Sequence, residues 1–185
     1  MTTTVNEHGI PDELKHFRQW VVWKLEQVEP LPKKPTKVPY SPVTGRKASS
    51  VDRFSWSTFG DAMAMYNSSE DYAGIGFVLT KDDPYTVIDL DAPSTEDEVK
   101  INNDIYFKMA SFTERSPSGT GVHIWTKAEI QKGRNRRPVE MYSNMRFITV
   151  TGNVCLDVPI EYRQEEVTEL WTAIAPKTGD VFVSY

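Results

Sequence analysis

Gly74-Ile75-Gly76-Phe77-Val78-Leu79-Thr80-Lys81-Asp82-Asp83-Pro84-Tyr85-Thr86-Val87-Ile88-Asp89-Leu90-Asp91 places two apolar runs on either side of a charged turn. Gly74 to Leu79 reads as a strand, Lys81 to Pro84 as a turn, and Thr86 to Asp91 as a second strand, so 74–91 is expected to be a hairpin. Upstream, Trp20-Val21-Val22-Trp23-Lys24-Leu25 is β-branched and aromatic and predicts another strand. Residues 29–53, dense in Pro, Lys, Ser and Gly, have no apolar period and read as one long irregular loop, a kind that is often functional. Ser55 is placed to cap a helix from Trp56 to about Asn67, with Phe59, Met63 and Tyr66 at helical spacing. Downstream, Ile101, Ile105 and Met109 share one face of a helix expected over about 95–110. Short strands then follow at 112–115, 122–126, 139–142 and 147–151, and a helix at about 165–175. This order predicts an α+β fold with a mainly antiparallel sheet. Residues 1–17 read as a polar lead-in, 18–175 as the domain, and 176–185 as a tail or the start of a linker.

The chain has 185 residues, 39% of them apolar and 25% charged, which suits one compact domain or a domain with a small appendage. No run approaches the about 18 apolar residues of a membrane span, and the opening residues lack a signal-peptide pattern, so a cytoplasmic protein without a membrane partner is expected. A single cysteine, Cys155, excludes an internal disulfide and a multi-cysteine zinc site. The net charge of −5 argues against tight, non-specific binding to nucleic acid. Positive charge is nevertheless bunched at Lys33, Lys34 and Lys37, at Arg46-Lys47, and at Lys132, Arg134, Arg136 and Arg137. A basic cleft on an acidic body and a set of solvated loops fit that distribution equally well.

Within Thr86 to Asp91, strand alternation sends Ile88 and Leu90 to one face and Asp89 and Asp91 to the other. The roots of residues two apart lie roughly 6.5–7 Å apart, close enough for both carboxylates to reach the same metal ions. Two hard cations held this way clamp the attacking and leaving oxygens of an in-line displacement, and oxygen ligands suit Mg²⁺ or Mn²⁺. Asp-x-Asp at a strand end is also a common solvated turn. Two later features add to it. In Ser116-Pro117-Ser118-Gly119-Thr120-Gly121-Val122-His123, Gly119 and Gly121 allow backbone amides near an anion, the serine hydroxyls add donors, and His123 lies opposite the apolar face of its strand. Glu140, between Val139 and Met141, would be costly beside two further carboxylates unless a cation is present; otherwise it faces solvent or pairs with Arg136 or Arg137.

Taken in order, these segments resemble the archaeo-eukaryotic primase superfamily, in particular its phage and plasmid primase-polymerase branch. The resemblance spans roughly residues 18–153. Val87-Ile88-Asp89-Leu90-Asp91 resembles the first motif, Ser118 to His123 the second, and Val139-Glu140-Met141-Tyr142 the third. Further likeness lies in Trp20 to Lys24, Lys37 to Tyr40, Gly45 to Ser50, Gly74 to Thr80 and Arg146 to Gly152. It implies an RRM-like antiparallel sheet packed against a smaller α/β unit. It also implies Asp89, Asp91 and Glu140 as ligands of two Mg²⁺ or Mn²⁺ ions, and His123, Ser116, Ser118 and Gly119 around the triphosphate, with Arg146 and Lys47 as further contacts. The implied reaction is template-directed nucleotidyl transfer, by a DNA polymerase or primase in phage or plasmid replication. Its implied partners are dNTP or NTP, a single-stranded DNA template and primer, and a replicative helicase or priming module. Relatives commonly continue into such a module, and some carry a zinc stem that one cysteine cannot supply, so primer extension is better supported than de novo priming. Two other readings keep the same motifs: a non-catalytic template- or origin-binding replication module, and a metal-dependent nucleotide-sugar transferase. The latter needs a larger nucleotide-binding half than the residues before Asp89 provide.

Overall fold

The computed structural model describes residues 3–27 and 35–175, which form two mainly antiparallel sheets and four α-helices. Lys33 and Lys34 of the basic stretch and the expected tail at 176–185 lie outside the described residues. In chain order the elements are α1 (Asp12–Lys15), β1 (Trp20–Glu26), β2 (Thr36–Tyr40), α2 (Phe59–Ser68), β3 (Gly74–Leu79), β4 (Tyr85–Leu90), α3 (Glu96–Met109) and β5 (Thr113–Arg115). They continue with β6 (Val122–Lys127), β7 (Arg134–Arg136), β8 (Val139–Tyr142), β9 (Arg146–Val150), β10 (Val154–Leu156), β11 (Glu161–Tyr162) and α4 (Gln164–Ala173). The α+β expectation with antiparallel pairing is met.

The expected hairpin is not formed. β3 and β4 enter different sheets: the first is ordered β2-β1-β3-β9, the second β10-β5-β6-β4-β8-β7, with β11 parallel beside β6. The Lys81 to Pro84 turn therefore carries the chain from one sheet to the other. Asp83 braces it, accepting hydrogen bonds from the Thr80 and Tyr85 amides and from Gln19. The chain returns to the first sheet between β8 and β9, through Met145, which adopts a left-handed backbone with φ 54°.

Three further expectations are corrected. The long loop contains β2, which pairs with β1 in a register that sets Lys37 opposite Leu25 and Pro39 opposite Trp23. This outer strand tolerates the proline because Pro39 turns its backbone away from β1, its carbonyl accepting from the Ala48 amide. Helix α2 starts at Phe59 rather than Trp56, because Thr58, not Ser55, caps it in a reciprocal box with Asp61. The lead-in is more than polar chain, since Ile10 and Leu14 belong to the core.

Two apolar clusters fix the frame. One joins Trp20, Val22, Ile75 and Phe77 of the first sheet to α2 and to Val87 and Trp125 of the second. The other packs Ile88, Leu90, Ile124 and Met141 against Ile105 and Met109 of α3 and Val167 of α4. Each such fully buried side chain contributes about 1.5–3 kcal/mol. Alternation along β4 thus commits Ile88 and Leu90 to the helices. Val87 goes to the inter-sheet core, and Asp89 continues that same face beyond it.

Candidate functional site

Strand register lines up five polar side chains across the second sheet. Glu114 of β5 lies opposite His123 of β6, His123 opposite Asp89 of β4, Asp89 opposite Glu140 of β8, and Glu140 opposite Asn135 of β7. Directly opposed residues of antiparallel strands share a face, so the five form one polar rung. Within it His123 is buried between two carboxylates, with Nε2 3.7 Å from Asp89 Oδ2 and Nδ1 3.8 Å from Glu114 Oε1. Both gaps exceed hydrogen-bond length, and Nδ1 has no hydrogen-bond partner. Burial pulls the His123 pKa down, but the carboxylates of Glu114 and Asp89 outweigh it and hold the imidazole above its ordinary value.

Glu114 was not anticipated from the sequence. It is fully buried, and its carboxylate accepts from the Thr151 amide (2.8 Å), the Gly152 amide (2.7 Å) and the Trp125 indole (3.2 Å). A buried carboxylate is tolerated when donors replace its water in this way. Gly152 has φ +63°, and a Cβ there would lie 1.9 Å from the Asn6 carbonyl oxygen, so only glycine fits beside this carboxylate.

The three expected ligands are unequally placed. The Asp89 side chain is about one third exposed. Glu140 accepts from the Tyr142 hydroxyl and from Asn135 Nδ2, both at 2.5 Å. Burial and Glu140 push the Tyr142 hydroxyl up, which keeps it a donor. Asp91 lies just past β4, anchored by its amide to the Pro138 carbonyl, and its Oδ2 is 3.5 Å from Arg137 Nη1. Among the described residues no group of three or more His, Cys, Asp or Glu side chains converges closely enough to hold a metal ion. The donor chemistry of Asp89 and Glu140, opposed carboxylates on neighbouring strands, suits a hard dication. The Asp91 carboxylate stands against Arg137 instead.

Ahead of the rung a cleft of about 580 Å³ is walled by both sheets. Asp89, His123 and Tyr142 come from the second sheet; Lys37 of β2 and Arg146, Phe147 and Thr149 of β9 come from the first. The Arg146 guanidinium stacks 4.6 Å from the centre of the Tyr142 ring, and Lys37 Nζ lies 5.7 Å from that of Trp23. Burial lowers the Lys37 pKa, with Arg146 acting the same way and Asp89 and Glu140 opposing, so its ammonium stands in the field of the rung.

Arg146 is thus brought to the cleft, as is Lys37, which the sequence places in a basic stretch and in the Lys37 to Tyr40 segment without marking it as a site residue. Its signal was its alternation with Pro39, hidden by the surrounding prolines. Lys47 is not among the cleft's lining and pairs with Glu26 at 2.7 Å. Ser116, Ser118 and Gly119 also lie outside that lining. Ser116 and Ser118 bond each other through their hydroxyls, and the Gly119 amide donates to the Ser116 carbonyl. Their turn sits at the Asp91 end of the sheet, where a Cβ on Gly121 would meet the Leu90 carbonyl oxygen at 2.7 Å.

The arrangement sets the Asp89 carboxylate and the buried His123 imidazole against two cations, Lys37 and Arg146, around one cleft. The chain is 36% identical, over an alignment of 154 residues, to a protein named DNA primase-polymerase from Nitratiruptor phage NrS-1; the alignment takes in 76% of this chain. The chain spans 20% of the length of that relative. No protein-family model matches the chain. No helix among the described residues is long and apolar enough to cross a membrane.

Proposed function

We propose that this chain carries the nucleotidyl-transfer site of a phage-type DNA primase-polymerase, extending a DNA strand on a single-stranded template from dNTP or NTP. The observation that carries the reading is the polar rung of Glu114, His123, Asp89 and Glu140, whose His123 and Asp89 share one cleft with Lys37 and Arg146. Carboxylates alone would repel a triphosphate, and cations alone would need no carboxylates; a metal-bound nucleotide calls for both. The similarity to the phage primase-polymerase supports the same choice.

In this reading Lys37 and Arg146 bind the phosphate oxygens, the Arg146 guanidinium steadied on the Tyr142 ring. His123, held between two carboxylates, offers Nε2–H toward the same anion. Glu114 stands behind the imidazole, its carboxylate 3.8 Å from Nδ1. Asp89 and Glu140, with Asp91 once its carboxylate leaves Arg137, would hold Mg²⁺ or Mn²⁺. When bound, such ions lower the pKa of a primer hydroxyl and neutralise charge on the phosphoryl oxygens.

The test is incorporation of labelled dNTP and NTP on single-stranded DNA, with and without primer, in Mg²⁺ or Mn²⁺. Incorporation that disappears in Asp89→Ala/Asp91→Ala with the fold intact is expected; activity surviving that double change would falsify the ligand assignment. A second reading, a non-catalytic template-binding module, draws on the engagement of Asp91 by Arg137 and of Glu140 by Asn135 and Tyr142. Strand binding without any incorporation by the unaltered chain would favour it.

A further inference from the structure

A second cavity, about 770 Å³, continues the cleft: Ser50 and Met145 line both. Its walls carry three cations, Arg18, Arg53 and Lys81, against one acid, Asp82. On its rim Phe54 is 91% exposed, the most exposed large apolar side chain among the described residues. The loop that carries Phe54 is braced from within. Asp52 accepts from the Phe54 amide, Ser55 Oγ donates to the Asp52 carbonyl, and Trp56 Nε1 donates to the Ser49 carbonyl at 2.7 Å. Ser50 Oγ donates to the Met145 carbonyl, which pins the loop to the crossing between the sheets.

An aromatic ring held out to solvent on a braced loop, among excess cations, has lost apolar burial without gaining a partner within the described residues. We infer that this surface binds single-stranded polynucleotide, with the backbone on Arg18, Arg53 and Lys81 and a base stacked on Phe54, leading the strand toward the cleft. Three features select that occupant. The charge complements a phosphate backbone, the open ring face suits an unpaired base, and the cavity runs into the site already described. The strand's role as template rests on the nucleotidyl-transfer reading; its binding rests on these residues alone.

The experiment is fluorescence anisotropy of a labelled single-stranded oligothymidylate titrated with the 185-residue chain at several salt concentrations. Phe54→Ala should weaken binding about tenfold. Arg53→Glu with Lys81→Glu should lower affinity and flatten the slope of log K against log salt by about 1.4, two contacts at about 0.7 each. Thermal melting of these exposed variants should match the parent. Unchanged affinity and slope in both variants overturn the proposal, as does polyglutamate of equal charge competing as well as the oligonucleotide. If the variants lose the strand while the unaltered chain incorporates no nucleotide, the surface stands and the enzymatic reading falls. If incorporation proceeds and the variants bind normally, the surface falls alone.

Discussion

The two sheets reach one cleft with opposite charge. The second sheet brings His123, Asp89 and Glu140 on neighbouring strands, each residue facing the next across the ladder. The first brings Lys37 from an edge strand and Arg146 from the first residue of another, and neither lies opposite the other in register. The acidic wall is rigid, since its groups sit mid-ladder and Glu114 is locked by three N–H donors. The basic wall is built from long side chains steadied by aromatic rings, Arg146 on Tyr142 and Lys37 near Trp23. A rigid acidic wall suits groups that position reacting atoms. An adjustable basic wall suits groups that follow a phosphate chain as it enters and leaves.

Substitutions can break this contrast at graded cost. Glu114→Ala removes the acceptor of three buried N–H groups and should destabilise the fold by about 3–5 kcal/mol, read by urea denaturation. Glu114→Gln keeps an acceptor and should cost less. Asp89→Asn leaves shape and packing in place and should cut incorporation by about 10²–10³-fold or more while melting is unchanged. Lys37→Ala should weaken nucleotide binding roughly tenfold, as expected for one charge-assisted hydrogen bond, with little change in the maximal rate. A fall in maximal rate with unchanged affinity would move Lys37 to the acidic wall's role.

The smallest expected effect lies in the frame of the first sheet. Thr58→Ala opens the capping box of α2 and should cost about 1 kcal/mol. Asp61 of that box is held below the usual carboxylate range by hydrogen bonds from Ser57 and Thr58. A depressed pKa in the folded state contributes stability that is present above the unfolded value and lost as pH falls through the folded one. The parent should therefore lose stability on acidification more steeply than Asp61→Asn, in parallel melts between neutral and acidic pH.

The acidic wall was largely legible in the sequence and the basic wall was not, for physical reasons. Asp89, His123 and Glu140 each interrupt an apolar run with strand alternation, so their strands and their face could be read directly. Glu114 escaped notice because Thr113-Glu114-Arg115 looks like a solvated strand end; its burial depends on Thr151 and Gly152, far away in the chain. Lys37 sits among prolines that obscure the two-residue period of β2. The Lys81 to Pro84 turn looked like the tip of a hairpin, because turn chemistry specifies a reversal and not the sheet that each strand joins. The hydroxyls and glycines of 116–121 suggested an anion cradle. In the fold Ser116 and Ser118 bond each other within a tight turn, and Gly121 allows β6 to pass close to the end of β4.

The division between the walls is tested most directly by measuring Mn²⁺ binding and dNTP binding separately, by electron paramagnetic resonance and by calorimetry, in two double variants. Asp89→Asn/Glu140→Gln should abolish Mn²⁺ binding, and dNTP binding should then no longer respond to added Mn²⁺. Lys37→Ala/Arg146→Ala should leave Mn²⁺ binding in place and weaken dNTP binding roughly a hundredfold, two contacts at roughly tenfold each. Mn²⁺ binding retained without Asp89 and Glu140, or lost without Lys37 and Arg146, would contradict the assignment of metal to one wall and phosphate to the other.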